Sequence, residues 1–413
     1  MNKVTGYLFT SESVCVGHPD KMCDFIAMSI MDDILANDSE AHVGIECAVC
    51  KDFLLIMGEV KSKYFCVYEK VAREAIKSLG YIDPSKGFSY DTVSIEVRVT
   101  NQSEEINQGV EDTYVRGKQS ETQGAGDQGL VCGGAIDETP NFMPLPIELA
   151  RKLTCRMTEV ALADLGNPFY PDGKAQVTIR YNRGLEKLIV DTVVISIAST
   201  KDIGITELRK RVKETIIAPI LQSSGFDIKD VKRFYINPTG SFTEFGPAVD
   251  SGLTGRKIIV DSYGMYFPAG GGSMNGKDPT KQDISGALMA RYVAKNLVAS
   301  GLVHKVEVQL SYAIGVENPC SVNIKCFGTS DIPTSIILRA VRQVFDLTPA
   351  GIERELNLRH PTDWNYAMTA KIGFFGNVIF PWEKTDKADE LKNAIYDIRA
   401  KSQKKEGKVC STT

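Results

Sequence analysis

The segment GHPDK, at residues 17–21, combines groups that suit a phosphorylated ligand, and it directly precedes a helix-like pattern. Pro19 suits the first turn of a helix, and a helix N-terminus attracts anions through its dipole and its free N–H groups. His18 and Lys21 could therefore donate to phosphate oxygens, while Asp20 could bind Mg²⁺ that a nucleotide carries. The pentapeptide alone is also typical of an ordinary capped surface helix.

Three further segments combine glycine with charged residues. They are GAGDQG at 124–129, a stretch with five glycines at 238–264, and GGGSMNGKDPTKQD at 270–283. Glycine lets a ligand approach the backbone closely, and lysines on such backbone suit a polyphosphate. The candidate cations of all segments are His18, Lys21, Lys174, Arg256, Lys257, Lys277 and Lys281, and the candidate Mg²⁺ ligands are Asp20 and Asp283.

Composition and motifs give no support to several other classes. The 413 residues have a net charge of −4, so no nucleic acid partner is expected. No apolar run is long enough to predict a membrane span, and no secretory signal is present, so we expect a cytoplasmic protein with ten reduced cysteines. Cys47 and Cys50 have CxxC spacing without a second pair, which favours buried thiols over a zinc or redox site. The chain has no P-loop, no kinase motif pair and no GxGxxG after a strand.

Hydrophobic periodicity predicts three rounds of helix, strand, strand and helix, whose first helices begin near residues 20, 145 and 282. The closing helix of the second round is predicted over about 205–221. Each hairpin can bury only one face on its own helices, so we expect an α+β fold of three helix-strand-strand-helix repeats about a pseudo-threefold axis. The predicted domains are residues 1–113, 114–236 and 237–400. Residues 401–413 are polar and basic, which favours a disordered tail.

Taken together, the motifs resemble the S-adenosylmethionine synthetase family. The resemblance rests on TSESV, GHPDK, GAGDQG, INPTG, GLTGRKIIVD, GKDPTK, YAIGV and FPWEKTDKA, in this order over nearly the whole chain. It implies the three-repeat fold and methionine adenosyltransferase activity on ATP and L-methionine. It also implies two Mg²⁺ ions per site, K⁺, and a homodimer with shared active sites that can pair into a tetramer.

The resemblance also implies roles for individual residues. The implied catalytic residues are His18, Lys174, Arg256, Lys277 and Lys281. The implied ATP-binding residues are His18, Asp127, Asp172, Lys174, Ser241, Phe242, Asp250, Arg256, Lys257, Ser273 and Lys277. The implied methionine-binding residues are Glu59, Gln102, Asp250, Lys281 and Ile314. Asp20 and Asp283 would bind Mg²⁺, Glu46 would bind K⁺, and Gln102–Asp112 would be the mobile loop that closes the site.

Several positions depart from the family pattern. They are Val16, Gly134, Ser241, Ala269, Met274, Asn275, Ile284, Phe374 and Asn377, where Gly134 replaces a tyrosine and Val16 a glutamate. Residues of this kind surround and orient those that bind ligand. Two alternatives therefore stay open: a weakly active or regulatory paralogue, and the same chemistry on a methionine analogue. Asp250, a plausible partner for the methionine ammonium group, favours ordinary methionine.

Overall fold

The first predicted round of elements is present in the structure, a computed structural model that describes residues 6–101, 113–115, 118–120, 124–163, 167–182 and 188–410. Its elements are β1 (Gly6–Val14), α1 (Pro19–Asn37), β2 (His42–Cys50), β3 (Phe53–Lys61), α2 (Tyr68–Ser78) and β4 (Ser94–Thr100). Helix α1 starts where the sequence predicts, because Pro19 occupies its first turn and the His18 side chain caps it. Met22, Ile26 and Ile30 recur every four residues along α1 and are fully buried.

The second round contains one irregular helix. Its elements are β5 (Thr113–Val115), β6 (Lys118–Ser120), β7 (Gly129–Ile136), α3 (Leu145–Ala163), β8 (Phe169–Asn182), β9 (Ile189–Ser199), α4 (Ile205–Arg211, continued by Val212–Ile217 and Ala218–Ser223) and β10 (Arg233–Ile236). The middle part of α4 has π geometry. Pro219 has no N–H for the carbonyl oxygen of Thr215, and Arg156 of α3 donates to that oxygen at 3.1 Å. The predicted helix is therefore continuous but locally widened.

The third round has more helices than predicted. Its elements are β11 (Ser251–Leu253), α5 (Ile258–Asp261), α6 (Gln282–Ala299), β12 (Lys305–Tyr312), β13 (Ser321–Lys325), α7 (Thr334–Val344), α8 (Pro349–Glu355), α9 (Tyr366–Ile372) and α10 (Ala388–Cys410). Helix α10 extends to Cys410, through most of the segment that was predicted to be disordered. Leu391, Ile395 and Ile398 anchor its first half in the core, and no proline follows to end it.

Each of the three main sheets takes an edge strand from another round. The strand orders are β1-β8-β9-β10, β11-β2-β3-β4 and β13-β12-β7, and β5 and β6 form a separate hairpin. Thus β1 pairs with the second round, β7 with the third and β11 with the first. The three predicted α+β rounds are therefore joined by strand exchange, which the periodicity did not predict.

Strand β11 lies directly against the start of α1. A Cβ atom at Gly252 would lie 2.2 Å from the backbone of Pro19, so only glycine permits this approach. Leu253 pairs with Ala48 of β2 in the same sheet. The exchange of β11 therefore brings the segment that contains Arg256 and Lys257 to the N-terminus of α1.

The core contains several of the departures from the family pattern. Val16, Met274, Ile284 and Phe374 are all buried in the largest apolar cluster. Gly134 of β7 lies against Phe267, whose Cγ is 2.3 Å from the position that a Cβ atom at residue 134 would take. Phe267 therefore fills the space beside this glycine. Within the part of the chain that the structure describes, no helix is long and apolar enough to cross a membrane.

Gly134→Tyr is expected to destabilise the protein by about 1–3 kcal/mol or more, because the new ring and Phe267 need the same volume. Phe267→Gly alone should also destabilise, since it leaves a cavity, whereas the double variant should lose less than the sum of both. Urea unfolding of the four proteins measures the coupling. Gly204→Tyr, at an exposed glycine with open space around it, is the matched control. Additive losses would contradict the shared-volume explanation.

Candidate active site

His18 is buried at the N-terminus of α1 with one ring nitrogen available to a ligand. Its Nδ1 accepts a hydrogen bond from the backbone N–H of Asp20 at 3.2 Å. Nδ1 therefore carries no proton, and in the neutral ring the proton is on Nε2. Nε2 is buried and has no hydrogen-bond partner among the described residues, and it lies 3.9 Å from the Asp250 carboxylate.

Burial lowers the pKa of His18 to about 4, and the positive charges of Lys174 and Lys257 add to this effect. The imidazole is therefore neutral at physiological pH. A neutral ring with Nε2–H is a hydrogen-bond donor for a developing oxyanion.

Asp20 joins the N-terminus of α1 to the segment after β11. Its Oδ2 accepts from Lys257 Nζ at 2.5 Å, and its Oδ1 accepts from the Leu253 N–H at 3.0 Å. Arg256 Nε lies 3.3 Å from Oδ1. Burial opposes ionisation of Asp20, but the hydrogen bonds from Lys257 and Leu253 outweigh it and lower its pKa. Asp20 is thus an ionised carboxylate between two cations.

Lys21 does not face this site, which corrects the expectation that it contacts phosphate. Its ammonium group is buried between Asp261, at 2.6 Å, and Asp24, at 3.2 Å. Burial alone would lower the pKa of Lys21, but the two carboxylates outweigh it and raise this pKa. Asp24 also accepts from the Gly255 N–H at 2.9 Å. Lys21 therefore fixes the segment that contains Arg256 and Lys257.

Two other predicted ATP-binding residues, Lys174 and Asp250, lie near His18. Lys174 is exposed on β8, close enough to lower the pKa of His18, and Asp250 is exposed beside His18 Nε2. Asp172 is buried and accepts from the Gly246 N–H at 2.8 Å, and its burial raises its pKa to about 6. Phe242 is half-buried, and its carbonyl oxygen accepts from the Ser199 N–H at 3.0 Å. Ser241 beside it is exposed.

A second group of predicted residues lies at the N-terminus of α6. Lys277 Nζ pairs with Asp283 at 2.5 Å, and Lys281 Nζ pairs with the buried Asp278 at 3.1 Å. Asp278 also accepts from the N–H groups of Val43 and Thr280. Burial would raise the pKa of Asp278, but Lys281 and these hydrogen bonds outweigh it and lower this pKa. The GKDPTK segment is thereby held against the start of β2.

The GAGDQG segment packs on the GKDPTK segment. Gly126 N–H donates to the Thr280 carbonyl at 3.2 Å, and Ala125 pairs with Ile314. Asp127 is exposed and accepts from the neighbouring Gln128 N–H. Ser273 packs against the Gly255 turn and accepts from the Asn275 N–H. This second group therefore contains Asp127, Lys277, Lys281, Asp283 and Ile314.

Glu46 and Glu59 are exposed on the outer face of the sheet β11-β2-β3-β4. Glu59 lies opposite Gly44, which also forms a bridge with Lys277, so Glu59 borders the second group. Glu46 lies on β2 two residues after Gly44, opposite Met57 of β3. Gln102 and the rest of the predicted loop Gln102–Asp112 lie outside the described residues.

The two groups are separate within one chain. Within residues 6–101, 124–163, 167–182 and 188–410, no hydrogen bond or ion pair directly joins the His18 group (His18, Asp20, Lys174, Asp250, Arg256 and Lys257) to Lys277, Lys281 or Asp283. The link between them is indirect, through Asn275, which donates to Asp261, the partner of Lys21. Both groups border the outer face of the sheet β11-β2-β3-β4. The His18 group borders it at Leu253, and the Lys277 group borders it at Glu59. Among the same residues, no cluster of three metal-binding side chains occurs, so neither group forms a complete protein cage for a metal.

The chain matches three family models over most of its length. They are S-adenosylmethionine synthetase N-terminal domain at residues 6–104, central domain at 122–242 and C-terminal domain at 245–384. The chain belongs to the S-adenosylmethionine synthetase family. S-adenosylmethionine synthase from Staphylococcus epidermidis RP62A is 44% identical over 395 residues, which cover 94% of this chain and 98% of the relative. The enzyme of the same name from Clostridium botulinum Alaska E43 is 44% identical over 394 residues, 94% of this chain and 99% of the relative.

These matches confirm the predicted family and, with it, a methionine adenosyltransferase enzyme. The family is generally metal-dependent, as predicted. Sequence reasoning missed the residues that support the site, such as Tyr81, which donates to the Gly17 carbonyl at 2.6 Å. Asp261 was also not recognised as the partner of Lys21. Such contacts join distant parts of the chain, and no local motif indicates them.

The structure predicts the protonation state of His18. In protein with ¹⁵N-labelled histidine, NMR should show Nε2–H with unprotonated Nδ1 down to about pH 5, because burial and the nearby lysines disfavour the imidazolium. Lys174→Met should raise the pKa of His18, since it removes a positive charge. Because the folded pKa lies below the unfolded value, this histidine stabilises the fold less as pH falls from about 6.5 towards 4. A signal that is lost in His18→Gln and titrates near pH 6.5 in the wild type would contradict the assignment.

Proposed function

We propose that this chain catalyses in-line attack of the L-methionine sulfur on C5′ of ATP, which releases S-adenosylmethionine and tripolyphosphate. The tripolyphosphate is then cleaved to pyrophosphate and phosphate. The neutral, buried His18 with a free Nε2–H beside Lys174, Arg256 and Lys257 carries the proposal. The sulfur is already a nucleophile, so no general base is needed, and the main demand is stabilisation of the leaving oxygen.

In this proposal His18 Nε2–H donates to the oxygen that leaves C5′. Lys174, Arg256 and Lys257 neutralise the triphosphate, because negative charge accumulates on it as the bond breaks. Asp250, next to His18 and exposed, accepts from the methionine ammonium group. Phe242 presents a half-buried ring to adenine.

Asp20 and Asp283 suit Mg²⁺ through their chemistry, because hard carboxylate oxygens are its preferred protein ligands. Each is paired with a lysine, Lys257 or Lys277, that also suits phosphate. With a polyphosphate and Mg²⁺ bound, Lys257 and Lys277 would hold phosphate, and Asp20 and Asp283 would hold the metal. Bound Mg²⁺ supplies charge neutralisation of the leaving triphosphate. Exposed Glu46 offers one carboxylate to K⁺.

The active site is proposed to form between two copies of the chain. On the outer face of the sheet β11-β2-β3-β4, Phe53, Leu55 and Met57 of β3 lie beside Ala48 of β2 and Leu253 of β11, all exposed or only half-buried. A contiguous apolar face of this kind favours protein association. Packing of two such faces about a twofold axis would bring the His18 group of one copy to the Lys277 group of the other. A homodimer with shared sites follows, and pairing of two dimers would give a tetramer.

The pseudo-threefold arrangement of the domains 1–113, 114–236 and 237–400 is part of the proposal. The cyclic exchange of β1, β7 and β11 supports it, because each round gives the strand that precedes its first helix to the sheet of another round.

Incubation of the protein with ATP, L-methionine, Mg²⁺ and K⁺ should yield S-adenosylmethionine and phosphate, measured by mass spectrometry and colorimetry. Lys281→Ala should lower kcat by about 10²-fold or more, the effect of removing a group that stabilises the transition state. Lys229→Ala, an exposed lysine outside both groups, is the matched control. Circular dichroism checks that both variants fold. Binding of ATP without product from methionine would favour the regulatory paralogue, and product only from an analogue would favour the altered substrate.

Shared sites predict complementation between two inactive variants. His18→Ala and Lys281→Ala, co-expressed with different tags and isolated as the mixed dimer, should recover about half of the wild-type activity, because one of two sites then has both residues. Dimers in which both differently tagged copies carry His18→Ala serve as the control. If the mixed dimer is inactive, each site takes both residues from one chain and the interface is placed incorrectly.

A further inference from the structure

A cavity of about 370 Å³ lies between α3, the end of α4 and the loop at residues 373–378, apart from both groups of the active site. Its volume is within the range of small-molecule sites. One stripe of α3 lines it, since residues three or four apart share a helix face. This stripe consists of Glu148, Arg151, Lys152, Cys155, Arg156 and Glu159.

The carboxylate of Glu148 has capacity for another donor. The residue is 8% exposed, and its Oε1 accepts from Lys152 Nζ at 2.7 Å. Its Oε2 is buried and has no hydrogen-bond partner within the described parts of the chain. A buried acceptor without a donor is unfavourable, so an N–H group from a ligand would stabilise it.

Opposite charge and apolar surface lie next to this acceptor. Lys152 is partly exposed and has two further N–H groups beyond the one given to Glu148. Met143, Ile220 and Ile372 provide an apolar wall. The neighbouring pair of Glu148 and Lys152 therefore suits a ligand with both an ammonium and a carboxylate group, and the wall suits an apolar side chain.

We propose that this cavity binds an α-amino acid with an apolar side chain. The ammonium group donates to Glu148 Oε2, the carboxylate accepts from Lys152, and the side chain packs on the apolar wall. Neither the predicted ATP-binding residues nor the predicted methionine-binding residues line this cavity.

The cavity is connected to the phosphate-binding segment through Arg151. This buried guanidinium donates to the carbonyl oxygens of Phe375, Val260 at 3.1 Å and Ser262 at 3.0 Å. Val260 belongs to α5, which begins directly after Lys257. Occupancy of the cavity should therefore alter the position of Lys257 and the KM for ATP, a consequence that rests on the proposed function.

Equilibrium dialysis of the full chain with radiolabelled L-leucine up to millimolar concentration tests the binding. We expect one saturable site whose Kd rises about tenfold or more in Glu148→Gln, since a charged hydrogen bond is lost. Glu159→Gln, on the same stripe but exposed, is the matched control and should bind as the wild type does. L-Leucinamide, without the carboxylate, and 4-methylpentanoate, without the ammonium group, should both compete poorly, which tests the proposal even if Glu148→Gln does not fold.

Three outcomes would overturn the proposal: no saturable binding, binding that Glu148→Gln leaves unchanged, or competition by either analogue as strong as that of unlabelled L-leucine. The second outcome would place leucine elsewhere, for example in the methionine site. L-Leucine should also change the KM for ATP at least twofold in the wild type but not in Glu148→Gln. If leucine binds but the KM for ATP is unchanged, the proposed connection through Arg151 is contradicted. If the chain has no synthetase activity, the proposed function fails, but the dialysis still tests leucine binding.

Discussion

The ion pairs of buried Lys21 are the interaction on which the active-site geometry depends. Lys21 joins α1 to Asp261 of α5, and its other partner, Asp24, accepts from Gly255. Removing one member of such a network costs about 3–5 kcal/mol, because an unpaired charge is left in the interior. The network therefore fixes the segment between β11 and α5 relative to α1. Arg256 and Lys257 lie within this segment, so their distance from His18 is determined by a lysine that contacts no ligand.

Two other lysines of the site are paired in a different way. Lys257 and Lys277 are partly exposed and paired with one carboxylate each, Asp20 or Asp283. Because both lysines reach solvent, the proposed function allows each of them to exchange its carboxylate partner for a phosphate. Lys21 has two carboxylates and no access to solvent, and it cannot make this exchange. Burial thus separates the lysine that supports the site from those that are proposed to bind ligand.

The sequence predicted the elements whose pattern is local. Helix α1 was predicted because Met22, Ile26 and Ile30 repeat at helical spacing and Pro19 marks its start. Strands β1, β7 and β11 were missed because their sequences, GYLFTSESV, GLVCGGAI and SGL, are polar, glycine-rich or very short, and their partners are more than a hundred residues away. The π segment of α4 was missed because its apolar spacing stays helical. Only Pro219 indicated the irregularity.

The same limit applied to the site residues. The motifs indicated candidate lysines, but they did not show that Lys21 pairs with buried carboxylates while Lys257 reaches solvent. Asp261 is 240 residues from Lys21, and neither residue predicts the other. The separation of the His18 and Lys277 groups could likewise not be predicted from the spacing of the motifs in the sequence. It was expected only because the resemblance implied a shared site.

The residues that depart from the family pattern are packed against neighbouring side chains. Val16, Met274, Ile284 and Phe374 lie in the apolar core, and Phe267 fills the space beside Gly134. Asn275 has a polar role, since it donates to Asp261 at 3.1 Å and so joins the network of Lys21. Cores tolerate coordinated apolar substitution when the total volume is kept. The charge pairs of the active site can therefore keep their positions although the residues behind them have changed, and this favours retained synthetase chemistry over a site that has lost its support.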